Sequence, residues 1–307
     1  MEPRGALRNL LAKPGYTIVP GAFDPLSARL VEVEGFSAIY LTGGGFSRAN
    51  ALPDLGFMTL TEVAAWISRV VDVVEIPVIA DADTGYGNAI NVIRTVREFE
   101  KTGVAGFHLE DQVTPKRCGH YEGKAVVSVT EMVGKIAAAV DTRRDADMVV
   151  IARTDARAVE GLSAAIDRVN AYLVAGADVG FVDAPHSVEE LATIARQIRG
   201  PTLVNIFRGG KTPPVGAREL ERMGFKLGIY PSQTQRGAIA AIKKVLACLH
   251  TDGDTDRVEH ELATFADREQ AVSASHWHAL EAKYLAGDFS HVADPSSRRQ
   301  HAAPAQS

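Results

Sequence analysis

The stretch IPVIADADTGYGNAINVIRTVREFEKTGVAGFHLED, residues 76–111, decides how this chain folds. Its first part, IPVIADAD (76–83), is a short β-branched run that ends in two acids and reads as a buried strand. AINVIRTVREFEKTG (89–103) spaces its apolar residues for a helix and closes on a glycine, as a helix C-cap does. AGFHLED (105–111) is a second run of strand type, again ending in acids. Strand, helix and strand in this order make a βαβ unit, the building block of a parallel sheet.

The same alternation continues in both directions. YTIVPGAF (16–23), SAIYLTG (37–43), MVVIARTD (148–155), VGFVDAP (179–185), PTLVNIF (201–207) and LGIYPS (227–232) bring the strand-like runs to eight, with helical patterns at 60–74, 162–177 and 236–249. No motif recurs from unit to unit, so the repeat is structural. A doubly wound open sheet competes, but eight regular units favour an α/β fold of the closed (β/α)₈ TIM-barrel type. No Pro/Ser-rich linker interrupts residues 1–250, which read as one catalytic barrel. TDGDTD then breaks the pattern, 251–290 reads as a helical extension outside the barrel, and the polar 291–307 as a disordered tail.

Composition narrows the function. Apolar residues make up 46% and charged residues 23%, and 33 Lys plus Arg against 38 Asp plus Glu leave a net charge of -5. A chain so balanced advertises no basic surface for nucleic acid or acidic lipid, and small molecules become the expected partners. Its two cysteines, Cys118 and Cys248, lie in different contexts and suggest no disulfide framework. Neither a signal-like apolar segment at the start nor a run of ~20 apolar residues is present, so the expected location is cytoplasmic.

In a barrel of this kind the chemistry belongs at the C-terminal ends of the strands. Polar residues crowd there: Thr42-Gly43-Gly44-Gly45, Asp81 and Asp83, Glu110-Asp111, Arg153-Thr154-Asp155, Asp183, Asn205, and Tyr230-Pro231-Ser232. An Asp after a strand is often only a turn or a helix N-cap, but the coincidence across strands argues for a site. Asp81, Asp83 and Glu110 form a hard oxygen set suited to Mg²⁺ or Mn²⁺ and poor for Zn²⁺. Asp54 of LPDLG, otherwise a turn residue, adds an outer contact through water. The glycine triplet lets backbone N–H groups approach an anion. Arg153 is a candidate clamp for a substrate carboxylate, unless it simply pairs with a neighbouring Asp. PKRCGHYEGK (115–124) packs Lys116, Arg117 and His120 around Cys118, an arrangement that lowers a thiol's pKa and fits it for proton exchange. Cys248, inside KKVLACL, reads as core.

LPDLG, DADTGYG, HLEDQV, KRCGH and IARTDA, in this order, resemble the isocitrate lyase and phosphoenolpyruvate mutase superfamily, over about residues 21–249. Within it the likeness is to 2-methylisocitrate and 2,3-dimethylmalate lyases, with KRCGH the most specific motif. The resemblance implies a barrel holding Mg²⁺ on Asp81, Asp83 and Glu110, often through water, and a catalytic Cys118 on a gating loop. It implies substrate contacts from Tyr40, Thr42, Gly43, Gly44, Arg153 and Asn205, and C-terminal helices exchanged within a homodimer or homotetramer. Two positions depart from the lyase pattern: Asp183 stands where Glu is usual, and NIFRGGKTP carries Arg208 where relatives often have an acid.

The activity this implies is Mg²⁺-dependent cleavage of a substituted malate or isocitrate to pyruvate and a second acid, the substrate being a dicarboxylic or tricarboxylic acid. Tyr40 is the candidate base, provided its pKa is lowered, and Cys118 the carbon acid, with Lys116 and His120 beside it. The rival activities are oxaloacetate hydrolysis or decarboxylation and, further off, phosphonate C–P chemistry or a barrel without catalysis.

Overall fold

The computed structural model describes residues 2–119, 121–207 and 209–286. Eight strands run in sequence order around one closed parallel barrel: β1 (Thr17–Ala22), β2 (Ile39–Leu41), β3 (Val78–Asp81), β4 (Gly106–Glu110), β5 (Val149–Thr154), β6 (Val179–Val182), β7 (Thr202–Asn205) and β8 (Leu227–Tyr230). Each lies inside a run anticipated from the sequence. The ring is closed by β1 against β8, with Thr17 opposite Leu227 and Pro20 opposite Tyr230.

Local chemistry explains the segment that decided the fold. Asn88 caps the helix Ala89–Lys101 by accepting from the Ile90 and Asn91 amides, and the Asn91 side chain returns the bond. Val92, Val96 and Phe99 recur at helical spacing and are buried, and Phe99 meets Phe107 of β4 edge-on at 6.0 Å. Along the strands, alternate residues go to opposite faces. Tyr40, Ile79, Ile151 and Phe181 pack together with Val19, Leu203 and Leu227, joined by Leu7 and Leu11 of the N-terminal helix Pro3–Ala12. Ile39, Leu41, Val78, Ala80, Phe107 and Val150 pack instead with helix residues such as Val63, Ile67, Val96 and Ile136.

This alternation carries Asp81 to the inner face with Ile79, and Glu110 to the same side as His108. It does not carry Asp83. The strand ends at Asp81, and Asp83 sits in a turn at φ 47°, its N–H donating to Asp81 Oδ1 at 2.9 Å. A turn, not the two-residue period of a strand, therefore sets where Asp83 lies.

The compact barrel unit extends to Thr255, and its 20-residue helix Gln233–Asp252 ends at Gly253 in the left-handed region. Residues 256–286 form a second unit with helices Phe265–Ala271 and Ala274–Leu285. The tail expected over 291–307 lies outside the described residues. Among the described residues no helix is long and apolar enough to cross a membrane.

Candidate active site

At the C-terminal end of the barrel lies a cavity of about 80 Å³. Tyr40, Thr42, Gly44, Asp54, Asp81, Lys116, Cys118, Arg153, Asp183 and Asn205 all contribute to its wall. Gly43, Asp83 and Glu110 are not on the wall, but each touches a residue that is. His120 and Arg208 lie outside the described residues.

The carboxylates are arranged around two buried cations. The Lys116 ammonium stands 2.5 Å from Asp54 Oδ1 and 2.8 Å from Asp83 Oδ1, and so joins the loop after β2 to the turn after β3. Burial alone would lower its pKa, but Asp83, Asp54, Asp81 and Glu110 outweigh burial and hold it well above the usual lysine value. Asp83 is pushed up to about 6, by burial first and by its acidic neighbours, against the pull of Lys116. Burial likewise drives Glu110 well above the ordinary range, Arg153 opposing.

Arg153 stands among acids of its own chain. Its Nε lies 2.9 Å from Asp155 Oδ2 and 3.2 Å from Glu110 Oε2, and its Nη2 lies 3.0 Å from Asp183 Oδ2. It is thus paired with three acids of its own chain while still facing the cavity. Burial would lower its pKa; Asp155, Asp183 and Glu110 more than offset that, and it stays charged. Asp155 also takes the Lys124 ammonium at 2.7 Å. Burial works against the Asp155 carboxylate, yet Arg153 and Lys124 hold it well below the usual range. Asp183 completes the group by accepting from Asn205 Nδ2 at 3.2 Å.

Asp81, Asp83 and Glu110 do not form one direct coordination shell. Among the described residues no three His, Cys, Asp or Glu side chains stand close enough together to hold a metal ion. Of the three expected ligands, Asp83 is paired with Lys116 and Glu110 with Arg153. The glycine triplet also meets an anion of its own chain, since the Gly43 N–H donates to Asp81 Oδ2 at 3.3 Å.

Tyr40 donates to Asp81 Oδ2 at 3.5 Å and shares a 2.7 Å hydrogen bond with His108 Nε2. Burial first and Asp81 second push the Tyr40 hydroxyl well above its ordinary value, the reverse of the lowering a base needs. His108 is wholly buried, and burial with the neighbouring Arg153 lowers it to about 3, so the ring is neutral. The loop carrying the thiol is seated on this floor. Cys118 N–H donates to the Asp54 carbonyl at 3.2 Å, Gln112 brackets Arg117 with two backbone bonds, and Lys124 donates to the Gly119 carbonyl. A Cβ on Gly119 would stand 1.7 Å from Asp183 Oδ2. Only glycine allows the loop to lie this close. Cys118 and Cys248 form no disulfide.

Three participants were not singled out from the sequence: His108, Lys124, and Arg48 on the cavity wall. Strand parity was a usable signal for His108, which shares the inward face of Glu110. Arg48 and Lys124 carried none, because both read as solvated charges in loops or helix ends.

A parallel barrel with carboxylates, buried cations and a thiol gathered at one mouth is the frame of an enzyme acting on a small anionic substrate. The family model described as phosphoenolpyruvate phosphomutase matches residues 7–250, and the chain belongs to the PEP mutase/isocitrate lyase superfamily. It is 42% identical over 288 residues to the 2,3-dimethylmalate lyase of Eubacterium barkeri, covering 94% of this chain and 100% of that one. To the 2-methylisocitrate lyase of Aeropyrum pernix it is 44% identical over 263 residues, 86% of this chain and 85% of the other. Among solved structures, oxaloacetate acetylhydrolase bound to 3,3-difluorooxalacetate superposes with a TM-score of 0.86 at 36% identity, over 94% of this chain and 99% of that one. Phosphonopyruvate hydrolase in complex with oxalate and Mg²⁺ gives 0.85 at 30% identity, over 93% and 100%.

Proposed function

We propose that this chain cleaves the C2–C3 bond of a substituted malate or isocitrate, of the 2,3-dimethylmalate or 2-methylisocitrate type, to pyruvate and a second carboxylic acid. The observation that carries this reading is Cys118 on the wall of the same cavity as Tyr40, Asp81 and Arg153, in a chain similar to such lyases along nearly its whole length. We take the working form to be a cytoplasmic homodimer or homotetramer with exchanged C-terminal helices.

The acids fit Mg²⁺, with Mn²⁺ as a substitute. Glu110 Oε1 is buried without a hydrogen-bond partner among the described residues, and Asp81 and Asp83 add hard oxygen atoms. Mg²⁺ keeps several of its waters and is commonly held through one or two carboxylates, so separated acids suit it better than a closed cage. When bound, the ion supplies the positive charge that polarises the substrate oxygen destined to become the carbonyl of pyruvate.

The chain's own groups do the rest. The Tyr40 oxygen can take the substrate hydroxyl proton only after its own has passed to Asp81, the carboxylate it donates to, which returns that proton to solvent at the end of the cycle. As C2–C3 breaks, the electron pair moves into the carboxylate of the departing acid, where Arg153 and the Asn205 amide stabilise the charge. Cys118 then gives its proton to the new carbanionic carbon, and the thiolate is reprotonated from solvent.

Hydrolysis of oxaloacetate to oxalate and acetate is the second reading, favoured by the likeness to oxaloacetate acetylhydrolase. A panel of 2-hydroxy and 2-oxo diacids and triacids, assayed with Mg²⁺ for pyruvate and separately for oxalate, decides between them. Oxalate without pyruvate would replace the lyase assignment, and turnover of none of these acids would leave a barrel without this catalysis.

A further inference from the structure

The cations of the cavity are not equally available to a substrate. Arg153 is shared among Asp155, Asp183 and Glu110, and Lys116 between Asp54 and Asp83. Arg48 is different. It lies in the last turn of the helix Gly43–Ala49, and its side chain folds back so that Nη1 donates to the Gly44 carbonyl at 2.8 Å. A Cβ on Gly44 would stand 2.9 Å from that nitrogen and 2.8 Å from Asp54 Oδ2. The guanidinium therefore reaches the cavity wall because residue 44 has no side chain. Asp54, across from it, is already held by Lys116.

Among the described residues Arg48 makes no ion pair and no hydrogen bond besides the one to Gly44. A guanidinium has five N–H donors in a fixed plane that matches a carboxylate, so most of its capacity is unspent. It is the one cation on this wall not already opposed by a carboxylate of the described residues.

We propose that Arg48 is a specificity-determining residue that receives a third carboxylate, so that this site prefers tricarboxylic to dicarboxylic acids. The inference rests on the lyase reading for the first two carboxylates. One goes to the acid side of the cavity with the divalent ion, the other to Arg153 and Asn205, and Arg48 is left for the third. Because Arg48 is exposed at the rim, screening keeps the gain at the low end for a charge-assisted bond, about tenfold in affinity.

Titration calorimetry on the full chain with Mg²⁺ tests this with two probes, succinate and propane-1,2,3-tricarboxylate. Wild type should bind the tricarboxylate more tightly. Arg48→Met should lower the ratio of the two affinities about tenfold, and Arg48→Lys should restore part of it. A ratio taken within one variant cancels any general loosening of the site, which a merely structural role for Arg48 would produce. An unchanged ratio in Arg48→Met, or a wild type that does not favour the tricarboxylate, overturns the assignment. Parallel pyruvate assays separate it from the lyase reading. An Arg48-dependent preference in a protein that makes no pyruvate keeps the inference and removes that reading, whereas pyruvate formed while the ratio ignores Arg48 does the reverse.

Discussion

Replacing Asp155 by Asn should destabilise the protein by about 3 kcal/mol at pH 7, the lower end of the range for removing one partner of a buried ion pair. The carboxylate is fully buried and faces two cations, Lys124 Nζ at 2.7 Å and Arg153 Nε at 2.9 Å. Arg153 retains Asp183 and Glu110, which limits its loss. Lys124 retains only the Gly119 carbonyl, and a buried ammonium with one neutral acceptor accounts for most of the effect. For a unit of this size the change corresponds to a fall in Tm of about 6–12 °C. The pH dependence has a definite sign. Asp155 is held below its unfolded value of about 4, so its contribution is fully present above that pH and fades as pH falls below it. The gap between wild type and Asp155→Asn in thermal melts should hold steady from pH 7 to pH 5 and narrow only below about 4. A drop of less than about 2 °C at pH 7, or a gap that closes between pH 7 and pH 5, would refute the view that this pair of cations depends on Asp155.

The remaining predictions concern turnover and metal. Cys118→Ser should lower kcat by at least about 10²-fold with little change in KM, while Cys248→Ser, a buried position beside Asp252, should affect only packing; near-normal kcat in Cys118→Ser would end the proton-donor role. Gly119→Ala places a methyl group 1.7 Å from Asp183 Oδ2, so activity should collapse while the melting temperature stays within about 3 °C, and an active Gly119→Ala protein would show that the loop is not seated this way in turnover. Because Asp83 is pushed up to about 6 and must lose its proton to attract a cation, Mg²⁺ affinity measured by calorimetry should rise between pH 5.5 and 7.5, and a flat profile would remove Asp83 from the metal's surroundings.

Much of the fold was legible because each strand is a short β-branched run bounded by turn residues, and the runs at 76–83 and 105–111 announce themselves without any tertiary information. The acids at the strand ends were legible for the same reason, since their positions follow from where a run stops. What the sequence withheld is pairing. Arg153 read as a clamp for a foreign carboxylate or as the partner of a neighbouring Asp, and beyond Asp155 it also meets Glu110 of β4 and Asp183 after β6, a meeting that only closure of the barrel brings about. A two-residue strand period would put Asp83 on one face with Asp81, but the left-handed turn that places Asp83 lies two residues beyond the end of the strand. His108 was hidden inside an apolar run, where an imidazole looks like core until Tyr40 is seen 2.7 Å away.

Lys116 and Cys118 lie two residues apart on one loop, and this ties electrostatics to the seating of the thiol. Any swing that withdraws the thiol also withdraws the ammonium, and it leaves Asp54 and Asp83 facing each other without their shared counter-charge. Any withdrawal of the loop would therefore be opposed by the two acids it leaves bare. The thiol proposed as the proton donor is thus seated by the same ion pairs that hold Asp54 to Asp83.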